Sequence, residues 1–176
     1  MKIAIVKLSA LGDIIHAMII IQLIKKYDKK IQIDWVVEEC FSELLIDHPD
    51  ITKIHTVNIK EVKKNFSPYL LIKELRKVKK FGLYDFVIDM QGLFKSALIS
   101  YLIPSKETIG FEKSSVRESF ASFFYNKSFK YGYAENIIER NVALIAFSFG
   151  LNISRQEIEN KSPFLFTKFF FINTNL

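Results

Sequence analysis

The sequence predicts an α/β fold in which a parallel sheet is covered by helices on both faces. Strand-like apolar runs and helix-like segments alternate about five times along the chain, and such alternation is typical of parallel sheets. The chain also opens with a strand, a short polar turn and a helix, at residues 3–6, 7–13 and 14–26. In folds of this class, the loop after the first strand faces the ligand-binding crevice.

The other predicted elements follow in the same alternating order. Strands are predicted at residues 31–37, 54–58, 84–89 and 107–111, and helices at residues 41–46, 67–82, 93–102, 115–125 and 135–149. Ser67 and Pro68 suit the N-cap and the first position of a helix, and residues 115–118 fit the capping-box pattern. Residues 60–66 are predicted to form a basic loop, and residues 126–133 a loop or an edge strand.

The composition indicates a folded chain from a reducing compartment. Its 176 residues suit one domain, or one half of a two-domain protein, and 49% of them are hydrophobic. Cys40 is the single cysteine, which excludes an internal disulfide bond, and we expect it to be a buried or half-buried apolar residue. We expect no signal peptide, and the longest apolar stretch, residues 14–24, is too short to span a bilayer. We therefore expect a buried helix there, in a soluble protein.

The charge is biased toward cations. Lys and Arg number 25 against 19 Asp and Glu, for a formal net charge of +6, and much of the excess lies in residues 60–80. A basic field attracts polyanions such as nucleic acid, anionic lipid headgroups or phosphorylated sugars. Charge alone leaves these partners open, and a run of lysines is also typical of a solvated helix face.

Several common catalytic and binding motifs are absent from the sequence. It has no G-x-G-x-x-G dinucleotide fingerprint, no P-loop and no G-x-S-x-G nucleophile elbow. The three histidines, His16, His48 and His55, have no His or Cys partners at the spacing of metal ligands. No RNA-binding aromatic consensus and no basic helix-turn-helix is evident.

Polar residues follow four of the predicted strands, at the point where each strand ends. Because the carboxyl ends of parallel strands meet at one edge of a sheet, we expect these residues to share one rim. In chain order they are Ser9, Gly12, Asp13, Glu38, Glu39, Lys60, Lys64, Asp89, Gln91 and Lys95.

Three of these positions have two interpretations each. Asp13 is either a general base or a plain carboxylate at the start of a helix. The Gln91-Gly92 pair either brings a side-chain amide and a bare backbone to a ligand or makes a turn, and Gly12 permits close backbone approach or positive φ. Asp89 is interpreted, like Glu39, as a residue that fixes a loop.

Arg117 is a candidate anion-binding residue. If Ser115 caps the helix predicted at residues 115–125, Arg117 lies in its first turn, beside free backbone N–H groups. The alternative is a solvated arginine paired with Glu112 or Glu118. The aromatic side chains of residues 120–133 suit core packing for the most part, and some of them suit a membrane surface.

Four segments in order resemble the lipopolysaccharide heptosyltransferases of glycosyltransferase family 9. They are residues 5–16 (IVKLSALGDIIH), 34–39 (DWVVEE), 89–97 (DMQGLFKSA) and 117–126 (RESFASFFYN). The resemblance covers the amino-terminal half of the family, from Met1 to about Phe166. The second and fourth segments are more similar to the first type of heptosyltransferase than to the second.

The resemblance implies an inverting glycosyltransferase with two Rossmann-like domains, the GT-B architecture. Such an enzyme transfers L-glycero-D-manno-heptose from ADP-heptose to the first Kdo of Kdo-lipid A. It acts on the cytoplasmic face of the inner membrane, as a peripheral protein. The resemblance implies no metal ion and no cofactor besides the donor substrate.

The resemblance also implies roles for individual residues. Asp13 matches the catalytic base that takes the proton of the acceptor hydroxyl. Lys60 and Arg117 match basic acceptor contacts, and Lys64 is a weaker match in the same loop. Gln91 and Lys95 are further predicted acceptor-binding residues. The predicted loop-shaping residues are Ser9, Gly12 and Gly92.

For the domain organisation, we expect an acceptor-binding domain at residues 1–166 and an atypical tail at residues 167–176, with the carboxyl-terminal donor domain absent. One alternative is a non-catalytic remnant that at most binds acceptor or membrane. Another is a basic nucleotide- or nucleic-acid-binding α/β protein, which rests on charge and fold alone. We therefore expect no nucleic-acid partner.

Overall fold

The computed structural model describes residues 1–160 and residue 162, so the predicted tail at residues 167–176 lies outside the described residues. Six strands form one sheet in the order β3-β2-β1-β4-β5-β6, and every neighbouring pair is parallel. The strands are β1 (Lys2–Val6), β2 (Gln32–Glu38), β3 (Lys53–Val57), β4 (Tyr84–Asp89), β5 (Ser105–Phe111) and β6 (Lys127–Phe129).

The α-helices connect these strands or follow them. They are α1 (Leu11–Tyr27), α2 (Ile59–Asn65), α3 (Pro68–Val78), α4 (Phe94–Leu102), α5 (Ile137–Phe149) and α6 (Arg155–Glu159). Short 3₁₀ turns occupy Glu39–Leu44, Lys113–Ser115 and Ser119–Phe124. In the described part of the chain, no helix has both the length and the apolar character needed to cross a bilayer.

Apolar side chains cover both faces of the sheet. Successive residues of a strand point to opposite faces, so Ile3 and Ile5 join one core cluster while Ala4 and Val6 join the other. The first cluster contains the buried apolar residues of α1 and α5, and the second contains Val78 of α3 and Ile99 of α4. The predicted α/β fold, a Rossmann-like parallel sheet with helices on both faces, is confirmed.

The prediction of a basic loop at residues 60–66 is wrong. The structure ends β3 at Val57 and uses Asn58 as the N-cap of α2, with the Asn58 side chain accepting a hydrogen bond from the Glu61 amide. The predicted third strand includes Asn58, so its capping function is missed. Phe66 is the C-cap of α2, and its φ of 47° lies in the left-handed region.

The prediction of a helix at residues 115–125 is also wrong, because Ser115 and Glu118, the two capping-box residues, accept hydrogen bonds from residues distant in sequence. The hydroxyl of Ser115 accepts a hydrogen bond from the Tyr131 amide at 2.9 Å. The Glu118 carboxylate accepts one from the Phe94 amide at 2.7 Å, at the start of α4. With neither side chain available to cap a helix, the segment forms two 3₁₀ turns joined by extended Val116.

Cys40 is exposed, which corrects the expectation of a buried or half-buried residue. The predicted helix at residues 41–46 is the 3₁₀ turn Glu39–Leu44, which has no buried residues. Cys40 lies on this turn, where its Sγ atom is 3.1 Å from the Lys60 ammonium. The hydrophobic character of cysteine is therefore not used for packing here.

Asp34 on β2 is the centre of a buried polar network on the side of the sheet that carries the second core cluster. Its Oδ2 atom accepts a hydrogen bond from the Tyr84 hydroxyl at 2.7 Å and lies 3.1 Å from the Lys2 ammonium and 3.3 Å from His55 Nε2. Burial opposes ionisation of Asp34, but the hydrogen bonds from these three side chains outweigh it and hold the pKa of Asp34 below its usual value.

The Asp34→Asn variant should therefore be less stable than the wild type at pH 7, by about 1–3 kcal/mol. A carboxyl whose pKa is depressed by folding stabilises the protein above its unfolded pKa, about 3.9, and loses that contribution as the pH falls through the folded value. We expect the stability difference in urea unfolding to shrink below about pH 4. Exposed Glu43 gives the control, since Glu43→Gln should change stability little at any pH. A difference for Asp34→Asn that does not depend on pH would contradict this account.

Candidate active site

Lys7 begins the turn after β1 and is buried. Its ammonium donates a hydrogen bond to the Met90 carbonyl at 3.1 Å, and its own carbonyl accepts one from the Trp35 indole at 3.3 Å. Burial lowers the pKa of Lys7, whereas the carboxylates of Asp13 and Asp89 act in the opposite direction. A buried cation therefore lies within electrostatic reach of two carboxylates at the end of β1.

Gln91 ties the turn after β4 to the turn after β1. Its Oε1 atom accepts hydrogen bonds from the Leu8 amide at 2.9 Å and the Ser9 amide at 3.1 Å, and its Nε2 atom is 3.4 Å from Ser9 Oγ. The Ser9–Ala10 peptide bond is cis. The Gln91 amide oxygen thus fixes the backbone that leads into α1.

Asp89 is fully buried and uses both carboxylate oxygens. Its Oδ1 atom accepts hydrogen bonds from the amides of Gln91 at 2.8 Å and Gly92 at 3.2 Å. Its Oδ2 atom accepts them from the hydroxyls of Ser96 and Tyr125, each at 2.8 Å. Burial raises the pKa of Asp89, although these hydrogen bonds oppose the rise. The contacts are those of a loop-fixing residue, as interpreted from the sequence.

The two glycines at the rim differ in what the protein requires of them. Gly92 has a left-handed φ of 68°, and a Cβ atom there would lie 2.6 Å from Cγ1 of Val116. Gly12 has no positive φ, and a Cβ atom there would meet no described atom within 4 Å. The backbone conformation and the nearby Val116 side chain thus require glycine at position 92. Neither the backbone conformation nor the packing of the folded chain requires glycine at position 12.

Asp13 lies at the edge of a cavity of about 400 Å³ at the carboxyl end of the sheet. It is the third residue of α1, and its Oδ2 atom is 3.4 Å from the Ala10 amide. Lys7, Arg117 and Arg140 line the same cavity. Its other lining residues are Met90, Gln91, Gly92, Leu93, Val116, Tyr133, Glu135 and Ile137. The cavity thus places two carboxylates, Asp13 and Glu135, among three cations.

Arg140 is absent from the sequence-based candidates. It lies on α5, only 6% exposed, and donates hydrogen bonds to the carbonyls of Gly132 at 2.7 Å and Ser115 at 2.8 Å. Its guanidinium also lies over the rings of Phe111 and Tyr133, at 4.7 and 5.2 Å. Burial lowers the pKa of Arg140. No carboxylate forms an ion pair with it within residues 1–160 and 162.

A signal for Arg140 is present in the helical periodicity. Arg140 precedes Leu144 by four residues, so it shares the buried face of a largely apolar helix. A charged residue on such a stripe needs compensating partners, which makes it a candidate for a functional role.

Lys95 and Glu38 continue the rim away from the cavity. The Lys95 ammonium is 3.4 Å from Ser9 Oγ and 3.9 Å from Glu38 Oε1. Glu38 is buried, its Oε2 atom accepts a hydrogen bond from the Ile59 amide at 3.1 Å, and burial raises its pKa. Burial lowers the pKa of Lys95, although the Glu38 charge opposes this. The Ser9 hydroxyl thus lies between the Gln91 and Lys95 side chains.

Lys60 and Lys64 lie on α2, outside the residues that line the Asp13 cavity. The Lys60 ammonium lies 4.3 Å from the centre of the Phe41 ring, in addition to its contact with Cys40. Its backbone amide is 3.4 Å from Glu38 Oε2, which connects α2 to the Lys95 part of the rim. Lys64 is exposed on the last turn of α2.

Arg117 lines the cavity, but not as the sequence predicts. Since no helix begins at Ser115, Arg117 does not lie in the first turn of a helix, and the anion site predicted from that helix N-terminus is wrong. The alternative ion pair with Glu112 or Glu118 is not formed in the described part of the chain. Arg117 is exposed and contributes a guanidinium charge to the cavity wall, without a carboxylate ion-pair partner in the described part of the chain.

The aromatic residues near Arg117 divide into two groups. Tyr125 packs over Gly110 and reaches Asp89, whereas Phe120 and Phe123 are exposed. Across residues 1–160 and 162, no three His, Cys, Asp or Glu side chains are grouped so that they could hold a metal ion.

Comparison with known proteins shows the family to which this chain belongs. The sequence model of glycosyltransferase family 9 (heptosyltransferase) matches residues 69–165, more than half of the chain. The chain belongs to glycosyltransferase family 9. Within the family, it is 43% identical over 147 residues to lipopolysaccharide heptosyltransferase 1 of Campylobacter coli, and 36% identical over 149 residues to that of Pseudomonas aeruginosa.

A solved structure of the same family supports the fold. Escherichia coli heptosyltransferase WaaC with ADP-2-deoxy-2-fluoro heptose superposes with a TM-score of 0.81 at 29% identity, over 93% of this chain and 55% of that one. The Campylobacter and Pseudomonas matches cover 84% and 83% of this chain, but only 41% and 42% of the relatives. The chain thus spans less than half the length of these two family members.

The glycine at position 92 gives a test of the site's framework. Gly92→Ala should lower the free energy of unfolding by about 1–3 kcal/mol, because alanine disfavours the left-handed backbone and its Cβ would clash with Val116. Gly12→Ala is the matched control, and we expect it to be neutral or to stabilise α1 by up to about 1 kcal/mol. Urea unfolding of both variants measures the difference. Equal effects at the two positions would contradict the geometry described for Gly92.

Proposed function

We propose that this chain is the acceptor-binding half of a lipopolysaccharide heptosyltransferase of the first type, with Asp13 as the catalytic base. The single observation that carries the proposal is the cavity whose lining brings the Asp13 carboxylate together with the cations Lys7, Arg117 and Arg140, alongside Glu135. Family membership supports the same reaction class, since both relatives described above are named lipopolysaccharide heptosyltransferase 1.

The proposed reaction is an inverting transfer of L-glycero-D-manno-heptose from ADP-heptose. A hydroxyl oxygen of the first Kdo forms a bond to the anomeric carbon of the heptose, and the bond from that carbon to the ADP phosphate oxygen breaks. The acceptor hydroxyl loses its proton to the Asp13 carboxylate. Positioned general bases typically contribute a factor of about 10²–10⁴ to such rates.

The cations fit the charge of the proposed acceptor, Kdo-lipid A. Its sugar carboxylates and lipid phosphates are anions, and guanidinium groups bind both with paired hydrogen bonds. Arg117 is available for this role because it has no carboxylate partner in the described chain, and Arg140 supplies a second guanidinium at the cavity wall. Lys60, Lys64 and Lys95 extend the positive charge along the neighbouring rim.

Donor binding is assigned to the carboxyl-terminal half of the family, outside the portion that this chain matches. This proposal rests on the resemblance and on the partial coverage of the relatives. We propose no cofactor or metal ion besides the ADP-heptose donor. The lipid-linked acceptor supports a peripheral position at a membrane, and the family resemblance supports the cytoplasmic face of the inner membrane as that position.

The Asp13→Asn variant tests the base. Heptosyl transfer to Kdo-lipid A should be measured with this chain alone and with the carboxyl-terminal half of the Campylobacter coli relative joined to it. In the joined protein, Asp13→Asn should lower the transfer rate by about 10²–10⁴, and acceptor affinity should change only a few-fold. Transfer by the unmodified 176-residue chain alone would overturn the assignment of donor binding. Acceptor binding without transfer in the joined protein would favour the non-catalytic alternative.

The Arg117→Ala variant tests the acceptor site, and Lys60→Ala extends the test along the rim. Each loss of a charge-assisted hydrogen bond should weaken binding of detergent-dispersed Kdo-lipid A by about tenfold or more. Lys130→Ala, at an exposed lysine outside the cavity lining, is the control and should leave affinity unchanged. Titration calorimetry at two salt concentrations measures these affinities. If neither substitution weakens binding, or if the chain binds RNA in preference to the acceptor, the assignment fails.

A further inference from the structure

A second basic surface lies in a groove between α3 and the edge strand β3. The groove has a volume of about 520 Å³, and His55 and Phe81 line it together with exposed side chains. Five of its lining residues are cations, and no carboxylate lines it in the described part of the chain. These cations are Lys53, Lys73, Arg76, Lys77 and Lys80.

α3 carries one acidic side chain, and it pairs with only one of these cations. Glu74 is the one acid of α3, and its side chain is 13% exposed and accepts a hydrogen bond from the Asn58 amide at 3.1 Å. Lys77 lies 3.8 Å from Glu74 and is the one groove cation that forms an ion pair within residues 1–160 and 162. The remaining four charges thus face solvent without a partner there.

Large apolar side chains are exposed among these cations. Tyr69 is 74% exposed and Ile72 48% exposed, and both line the groove. Phe66, in the turn between α2 and α3, is 91% exposed. A helix face that is only solvated does not need exposed aromatic and aliphatic groups between its lysines. This combination is the one that amphipathic surfaces use at the headgroup region of a bilayer.

We propose that the α3 surface, formed by the groove cations with Phe66, Tyr69 and Ile72, binds an anionic membrane. The ammonium and guanidinium groups contact headgroup phosphates, and the three apolar side chains enter the boundary between headgroups and acyl chains. Ile72 favours a lipid over a nucleic acid, since an aliphatic side chain offers no stacking surface to a base. α2 directly precedes α3, so this contact holds Lys60 and Lys64 beside the membrane.

The inference deepens the proposed function, because it assigns the surface by which the protein approaches a lipid-linked acceptor. The probe is a set of sedimented vesicles made of phosphatidylglycerol and phosphatidylethanolamine, compared with phosphatidylcholine vesicles. The full chain should bind the anionic vesicles and not the neutral ones. Neutralising three groove cations together, as Lys73→Gln, Arg76→Gln and Lys80→Gln, should weaken binding on the order of a hundredfold.

The matched control removes three exposed lysines elsewhere, as Lys29→Gln, Lys30→Gln and Lys130→Gln, with the same change of net charge. The control variant should weaken vesicle binding by less than about tenfold, since charges remote from the membrane-binding surface are screened. An equal loss in both triple variants would overturn the proposal. Equal binding to neutral vesicles, or binding of single-stranded RNA in place of anionic vesicles, would overturn it as well.

A fluorescence variant tests the apolar contact separately. Trp35 is the one tryptophan and is fully buried, so it provides a constant background. In Tyr69→Trp, the emission should shift to shorter wavelength when anionic vesicles are added. An unshifted emission at saturating vesicle concentration would contradict insertion of this surface.

Acceptor binding in detergent separates this inference from the proposed function. The triple groove variant should retain wild-type affinity for detergent-dispersed Kdo-lipid A, whereas Arg117→Ala should lose affinity there and keep vesicle binding. If the wild type binds vesicles through α3 but does not bind the dispersed acceptor, the proposed function fails and the membrane surface stands. If the acceptor binds but the groove variant keeps full vesicle affinity, the membrane surface is wrong and the proposed function stands.

Discussion

The geometry of the candidate site depends on the buried carboxylate of Asp89. An unpartnered carboxylate in this position would be strongly unfavourable, and four hydrogen bonds from two amides and two hydroxyls compensate it. They join the turn after β4, the first turn of α4 and the segment around Tyr125. Gln91, held by one of these bonds, then fixes the backbone of Leu8 and Ser9. Through this chain of contacts, the turn that leads to Asp13 is positioned by a residue on another strand.

Two cations near the cavity are buried, which is unfavourable for a charged side chain without hydrogen-bond partners. Lys7 and Arg140 are both buried, and backbone carbonyls take up much of their hydrogen-bonding capacity. Burial is the main reason that the pKa of Lys7 is lowered. The carboxylates of Asp13 and Asp89 act to raise this pKa, and the Arg140 guanidinium acts to lower it further. The lining of the cavity therefore carries more positive than negative charge, since three cations face the carboxylates of Asp13 and Glu135. Such an arrangement suits an anionic ligand that must also give up a proton.

The sequence predicts the sheet well because its strands are short apolar runs bounded by turn residues, which are local signals. The rim could also be predicted, since parallel strands bring Asp13 and Gln91 to one edge whatever the side-chain details. The failures come from side chains whose partners are distant in sequence. Ser115 and Glu118 fit a helix cap but bond to Tyr131 and Phe94 instead. Arg140 is likewise absent from the predicted site residues, because two of its partners, Ser115 and Phe111, precede it by 25 or more residues.

The central claim is that the Asp13 cavity binds the acceptor, and a crystal structure of the chain with Kdo-lipid A tests it most directly. The account predicts the Kdo in this cavity, with a hydroxyl oxygen about 3 Å from the Asp13 carboxylate and acidic groups of the acceptor on Arg117 and Arg140. An acceptor bound at another surface, with the Asp13 cavity left empty, would contradict it.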